Sequence, residues 1–362
     1  MIVYYFLFCV IPIFSVISYA CNYKASNKIS IFILLIISVI IGYRESHIGT
    51  DTENYIEFYI NTPNNLSYDY LFNNGSPLFQ IILFIFKKFD ISTSIVLFFI
   101  SSIFNVFFYL TLNKLNKISP SYFLIFITSL TYLLLSLNII RQGLAVITFT
   151  LFVFSNSINP RKENYIFLVL SILFHPSAIF GFIVYFLFKK INLTTIKALL
   201  IIITSLAIIS LNIDIPTYIL SILKSINIMP NLIHRIEFYI TDYNVEGSNI
   251  GIGYISTCII GIISLLYKEK LETLALELYG RKNIVRTSIN FVFINIAIYP
   301  ILAPLAALAR FSFYFYAFEI FLFCLLNQLI FKNKLIQNLI VTLIALILYV
   351  KAIVSGLSYG FL

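Results

Sequence analysis

The stretch from Asn138 to Ala145 sets a guanidinium and an amide, Arg141 and Gln142, between two long uncharged runs, Tyr122 to Leu137 and Leu144 to Phe154. A cation at or inside a membrane boundary is unfavourable by a few kcal/mol unless it reaches the headgroups, pairs, or meets an anion. Three more ionisable groups border or interrupt apolar stretches: Arg44 after the run ending at Gly42, His175 within Tyr165 to Phe188, and Arg310 at the start of Ala309 to Leu329. Each alone reads as a headgroup contact. Gathered on one side of a bilayer, they describe a cationic site for a phosphorylated lipid, because arginine presents forked donors to phosphate oxygens.

Composition decides which elements position these groups. Of 362 residues, 60% are hydrophobic and 11% charged, and the mean hydropathy is +0.97. That excludes a water-soluble globule and predicts an all-α polytopic membrane protein, with residues 1–362 forming a single integral membrane domain. The net charge of +9 does not point to nucleic acid, because the basic residues sit mainly in short loops between apolar runs, as the positive-inside rule requires. Tryptophan is absent, which leaves interfacial anchoring to tyrosine and the basic residues. The four cysteines lack metal-type spacing and read as small buried hydrophobes.

In chain order, Met1 to Ala20 and Ile29 to Gly42 read as spans joined by a cytoplasmic link carrying Lys24 and Lys28. Residues 43–75, acidic on balance, form an outer loop expected to have little regular structure. Ser76 to Phe89 reaches only about 21 Å as a helix, against a hydrocarbon core of about 30 Å, yet Lys87 and Lys88 favour an inside end, so its crossing stays open. Spans follow at Ile91 to Leu112, Tyr122 to Leu137 and Arg141 to Phe154. Tyr165 to Phe188 is interrupted at His175, Pro176 and Ser177 and reads as a broken, re-entrant helix pair, which alone keeps the later basic loops inside. Ile196 to Leu211 spans, 212–249 is a second outer loop, and Gly251 to Tyr267 returns. Residues 268–286 are a cytoplasmic loop with a surface helix at the spacing Leu271, Leu274, Leu278. Ser288 to Tyr299, Ala309 to Leu329 and Leu335 to Val350 complete roughly ten to twelve membrane segments. This topology puts Arg44, Arg141, His175 and Arg310 on the outer side.

At these residues the chain resembles the EpsG family of bacterial exopolysaccharide and capsule polymerases, which is similar to the Wzy O-antigen polymerases. Arg44, Gly49, Thr50, Asp51 and Tyr55 fit its first pattern; Ile140, Arg141, Gln142 and Ala145 a second; Phe174, His175, Ser177 and Ala178 a third; and Arg310 with Tyr314 a fourth. The resemblance runs in order from Ile41 to about Phe323. One departure stands out: members often carry an acidic residue before Pro-x-Phe, where this chain has Ser76, so Glu53, Glu57 or Asp69 is left to substitute.

The resemblance implies a glycosyltransferase of the bacterial cytoplasmic (inner) membrane that joins oligosaccharide repeat units carried on undecaprenyl diphosphate, at the outer face. No dense Asp or His cluster calls for a metal, and no cofactor is expected. Expected partners are the lipid-linked oligosaccharide, membrane lipid, and a chain-length regulator and flippase of the same pathway. Arg44, Arg141 and Arg310 are the candidates for the diphosphate, with Gln142, Tyr55, Tyr314 and Ser177 beside them through the pattern. His175 or Asp51 is the candidate base, since an imidazole titrates in the useful range and a buried carboxylate is raised towards it. The rival readings are a flippase or exporter of the same lipid, a ligase of the O-antigen type, and a non-catalytic scaffold. A transporter calls for repeated halves and mid-bilayer polar groups, and no internal repeat is visible.

Overall fold

The computed structural model describes residues 2–73, 75–211, 213, 215–226, 237, 251–303 and 306–356. Among them there are helices and no strands. Most of the second outer loop, including His234, Arg235, Asp242 and Glu246, lies outside the described residues, as does Pro304. The chain clusters into two units. The first comprises Met1–Ile183, Leu274–Arg281 and Cys324–Leu362, and the second Val184–Thr273 and Lys282–Phe323.

The first unit opens with α1 (Ile2–Ala20) and α2 (Tyr23–Gly42). Helix α2 begins six residues earlier than expected and takes in Lys24 and Lys28, because the Asn22 side chain accepts from Ala25 N–H at 2.9 Å and caps it there. The loop that follows is largely helical, against expectation, with α3 (Thr52–Ile60) and α4 (Tyr68–Asn73). Thr52, Tyr55 and Tyr59 recur at helical spacing on the buried face of α3, and Asn61 ends it. Helix α5 (Pro77–Lys88) is 12 residues long, opens on Pro77 and buries Phe79, Gln80 and Leu83.

Helix α6 (Thr93–Leu115) continues through a short turn into α7 (Ser119–Thr128). The two are separate, because Asn116 sits at φ 49° and the chain returns so that Phe108 meets Phe123 and Phe126. The return is not one continuous span. Ser129 ends α7 and its hydroxyl accepts from Tyr132 N–H, restarting the chain as the short α8 (Leu130–Leu133). A π-helical turn over Leu134–Asn138 follows.

Then comes α9 (Ile140–Ile158), whose side chains are buried on every side: Phe149, Phe152 and Phe154 are all shielded completely. It packs against α6 on one flank and α10 (Tyr165–Phe174) on another, and α6 in turn packs on α2. Phe152 touches Tyr165 and Ser171 donates to Ala145 O at 2.7 Å, so α9 and α10 run antiparallel. Helix α10 breaks at His175, and α11 (Ala178–Phe188) carries the chain into the second unit.

The second unit is built on α12 (Thr195–Ser210), α13 (Ile215–Ile226), α14 (Ile252–Leu266), the start of α15 (Lys268–Tyr279), α16 (Asn283–Leu302), the short α17 (Ala306–Ala309) and the first part of α18 (Phe313–Ile330). Ser205 donates to Ile296 O, Tyr254 to Ser205, and Thr257 to the buried Glu319 carboxylate at 2.8 Å. Polar groups in this apolar interior are thus paired across helices. The expected helix at 268–279 is present, but its buried positions are Leu271, Ala275 and Tyr279, while Leu274 and Leu278 lie half-buried.

Helix α19 (Lys334–Gly356) closes the first unit against α1, through Ser15 to Thr342, Ser18 to Asn338 and Tyr349 to Tyr4 O. Cys258 and Cys324 are buried as expected, whereas Cys9 is exposed on α1.

Among the described residues, six helical runs are long and apolar enough to cross a membrane, or eight if each sharply bent pair counts as one. The remaining apolar segments are the shorter, broken pieces around α5, α7, α8, α10 and α11. The molecule is an all-α polytopic membrane protein.

Candidate functional site

The loop after α2 is fastened by Arg44. Its Nε donates to Thr52 Oγ1 at 3.0 Å, Nη1 to Ile41 O at 3.2 Å and Nη2 to Leu137 O at 3.0 Å. One guanidinium therefore joins the end of α2, the start of α3 and the π-helical turn. Burial pulls its pKa down to about 10, partly offset by the Tyr55 phenol, and it stays charged at neutral pH. Gly49 lies at φ 88°, and a Cβ there would stand 2.6 Å from Asn138 Oδ1, so only glycine lets the loop lie flat on the turn. Asn138 Nδ2 donates to Thr50 Oγ1 at 3.0 Å and completes the seam.

The π-helical turn ends directly before Arg141, and π-helical insertions recur at functional sites because they displace a side chain from regular register. Gly143 packs so tightly against it that a Cβ would overlap the Leu135 carbonyl. Gln142 is buried in the same first turn of α9.

Arg141 meets α3 across this seam. Its backbone N–H and its guanidinium lie close enough to the Tyr55 phenol to favour the phenolate. Its Cζ stands 5.1 Å from the centre of the Phe58 ring, a cation–π contact. Burial raises the Tyr55 pKa; Arg141 draws it back and the Asp51 carboxylate pushes it up, which puts all three within electrostatic reach. Together with Asn54, Glu57 and Asn61 they line a cleft of about 320 Å³.

His175 ends α10, its N–H donating to Ser171 O at 3.1 Å. Its Nδ1 accepts from the Ser177 backbone N–H at 3.2 Å and lies 2.7 Å from Ser177 Oγ. An N–H only donates, so Nδ1 is the acceptor nitrogen and the neutral ring carries its proton on Nε2. Ser171, four residues before His175, bonds Ala145, four residues after Arg141. The two functional candidates therefore stand level, each about 6 Å beyond that bond along its helix. The break also touches the outer loop, since Pro176 lies against Gly75.

The structure thus brings Arg44, Asp51, Tyr55, Arg141 and Gln142 together in the first unit, with His175 and Ser177 at the same level. Arg310 and Tyr314 belong to the second unit. Arg310 is exposed in a short turn before α18, and Tyr314 is fully buried one turn later. Sequence reasoning missed Thr52, Asn54, Phe58 and Asn61. Their signal was helical spacing inside the loop: once α3 is recognised, 51, 55 and 58 share one stripe with 54 and 61 beside it, and 52, 55 and 59 share the buried face. Among the described residues, no cluster of three or more His, Cys, Asp or Glu is arranged to hold a metal ion.

A family model described as the EpsG family matches residues 27–362, nearly the whole chain. The chain belongs to the EpsG family. No curated protein and no solved structure matches it. Membership places the protein in polysaccharide biosynthesis, and the match takes in the whole Arg141 cleft as well as Arg310 and Tyr314.

Proposed function

We propose that the protein polymerises oligosaccharide repeat units carried on a polyprenyl diphosphate, of the undecaprenyl type, at the outer face of the bacterial cytoplasmic membrane. The observation that supports this most is Arg141, held at a membrane-level helix end in a cleft that also contains a carboxylate. A sugar linked through C1 to a diphosphate already has a good leaving group. The protein has two tasks: to stabilise the charge that collects on the departing diphosphate, and to take the proton from the incoming hydroxyl.

The acceptor oxygen attacks C1 as the bond between C1 and the phosphate oxygen breaks. The hydroxyl proton passes to Asp51, and the polyprenyl diphosphate leaves as an anion held by Arg141. Asp51 is the better base of the two candidates, because it lines the cleft while Nδ1 of His175 is engaged by Ser177. His175 then serves as an Nε2–H donor at the same level. Arg44 acts through the loop: with all three of its donor nitrogens engaged in holding α3 to the end of α2 and to the π-helical turn, it positions Asp51 and Tyr55.

The test is the surface glycan of a deletion strain. Accumulation of lipid-linked or surface single repeats without longer chains supports a polymerase. Loss of every exported unit, with repeats trapped on the cytoplasmic side, supports a carrier instead, and full-length chains left unattached to their final acceptor support a ligase.

A further inference from the structure

The Arg141 cleft is not uniform in charge. Around α3, Tyr55 and Phe58 stand beside the guanidinium, while Asn54, Glu57 and Asn61 lie further round the same face. One end sets the Arg141 guanidinium beside two aromatic rings and the Asp51 carboxylate. The other offers two primary amides and a carboxylate, all exposed, and these three side chains make no hydrogen bond to any described residue. A free amide pairs both its donor and its acceptor with hydroxyls, and a carboxylate is a strong hydroxyl acceptor. Glu57 repels phosphate and Arg141 is the cation in the lining, so a phosphate entering the cleft is drawn to the guanidinium. The volume of about 320 Å³ is at the small end of the ~300–1,000 Å³ typical of ligand sites, which favours a short, two-ended ligand.

We infer that Asn54, Glu57 and Asn61 form a saccharide subsite that receives the hydroxyls of the sugar joined to the diphosphate, with its phosphate directed to Arg141. This rests on the polymerase reading and adds to it an orientation and a set of specificity-determining residues. Asn54 and Asn61 stand seven residues apart, two helical turns and about 10 Å along α3, so they grip two parts of the ligand. Phe58, between them in the chain and in the same lining, offers apolar surface to the sugar's C–H groups.

The experiment compares two probes on the purified full-length protein in lipid nanodiscs: undecaprenyl diphosphate, and the lipid-linked repeat unit extracted from cells lacking the protein. Wild type is expected to bind the glycolipid more tightly than the bare lipid. Asn54→Ala combined with Asn61→Ala should weaken glycolipid binding about tenfold or more and leave binding of the bare lipid unchanged. Arg141→Ala should weaken both. Because Asn54 and Asn61 are exposed and unbonded, the double variant keeps its fold, which its unchanged affinity for the bare lipid reports. Equal affinity of wild type for the two probes, or wild-type glycolipid affinity in the double variant, overturns the subsite while leaving the polymerase reading standing. Normal chain growth in the deletion strain overturns the polymerase reading, and the subsite with it.

Discussion

The two ends of α9 carry similar charges in different company. At its start, Arg141 is half-buried, beside the Tyr55 phenol, over the Phe58 ring and in one cleft with Asp51. Beyond its other end, Arg161 and Lys162 join Lys114, Asn159, Glu163 and Asn164 around a larger cleft of about 540 Å³, with all three cations exposed. The larger opening is the less chemical one. Exposed cations are strongly hydrated and screened within about 8–10 Å, so they contact anionic headgroups without selecting a ligand. Arg141 sits where water is partly excluded, so an anion there feels a stronger and more directional field, and the Asp51 carboxylate in the same cleft is placed to take a proton. Excess charge locates a membrane face. Partners and burial locate a site.

This contrast predicts a descending series of effects on chain growth. Asp51→Asn, which keeps shape but removes the base, should lower the polymerisation rate by about 10²–10⁴, read as repeats joined per unit time in membranes of matched protein content. Arg141→Ala should cost about 10²–10³, and Arg141→Lys should recover little of it, since lysine offers a point charge where a forked donor is needed. Arg44→Ala should cut activity less and chiefly through disorder of the loop. It leaves Leu137 O and Thr52 short of a donor, at about 1–3 kcal/mol for an unsatisfied buried group, so protease sensitivity within 43–61 should rise in step with the loss.

Gly143→Ala should lower thermal stability in detergent by roughly 1–3 kcal/mol through overpacking on the π-helical turn, and activity should fall because Arg141 moves. Arg161→Ala with Lys162→Ala should leave the rate within about twofold, as expected for solvated surface charge. Loss of polymer in that last variant at normal protein level would reverse the contrast between the two ends.

Much of this arrangement was legible in the residues, and for identifiable reasons. Arg141 stood out because an uncharged background makes one guanidinium conspicuous, and the helix break at His175 followed from Pro176. Helix α3 was hidden by the asparagines, glycine and proline around it, which read as turn signals although Thr52, Tyr55 and Tyr59 kept helical spacing. The π-helical turn had no sequence pattern to betray it: Leu134 to Leu137 are apolar or small, and the close fit that accompanies it is made by Gly143 of the next helix against the Leu135 carbonyl. Arg44 and Arg141 are the same residue type with opposite uses. Only the positions of Thr52 Oγ1 and Leu137 O, contacts made across 8 and 93 residues, separate an anchor from a ligand-facing cation.

The most direct test is a gel of lipid-linked and surface glycan from cells whose only copy is Arg141→Ala, expressed at wild-type level and run beside the Arg161→Ala, Lys162→Ala variant. The cleft at the start of α9 predicts single repeats without a ladder in the first strain and a full ladder in the second. A wild-type ladder from Arg141→Ala would contradict it.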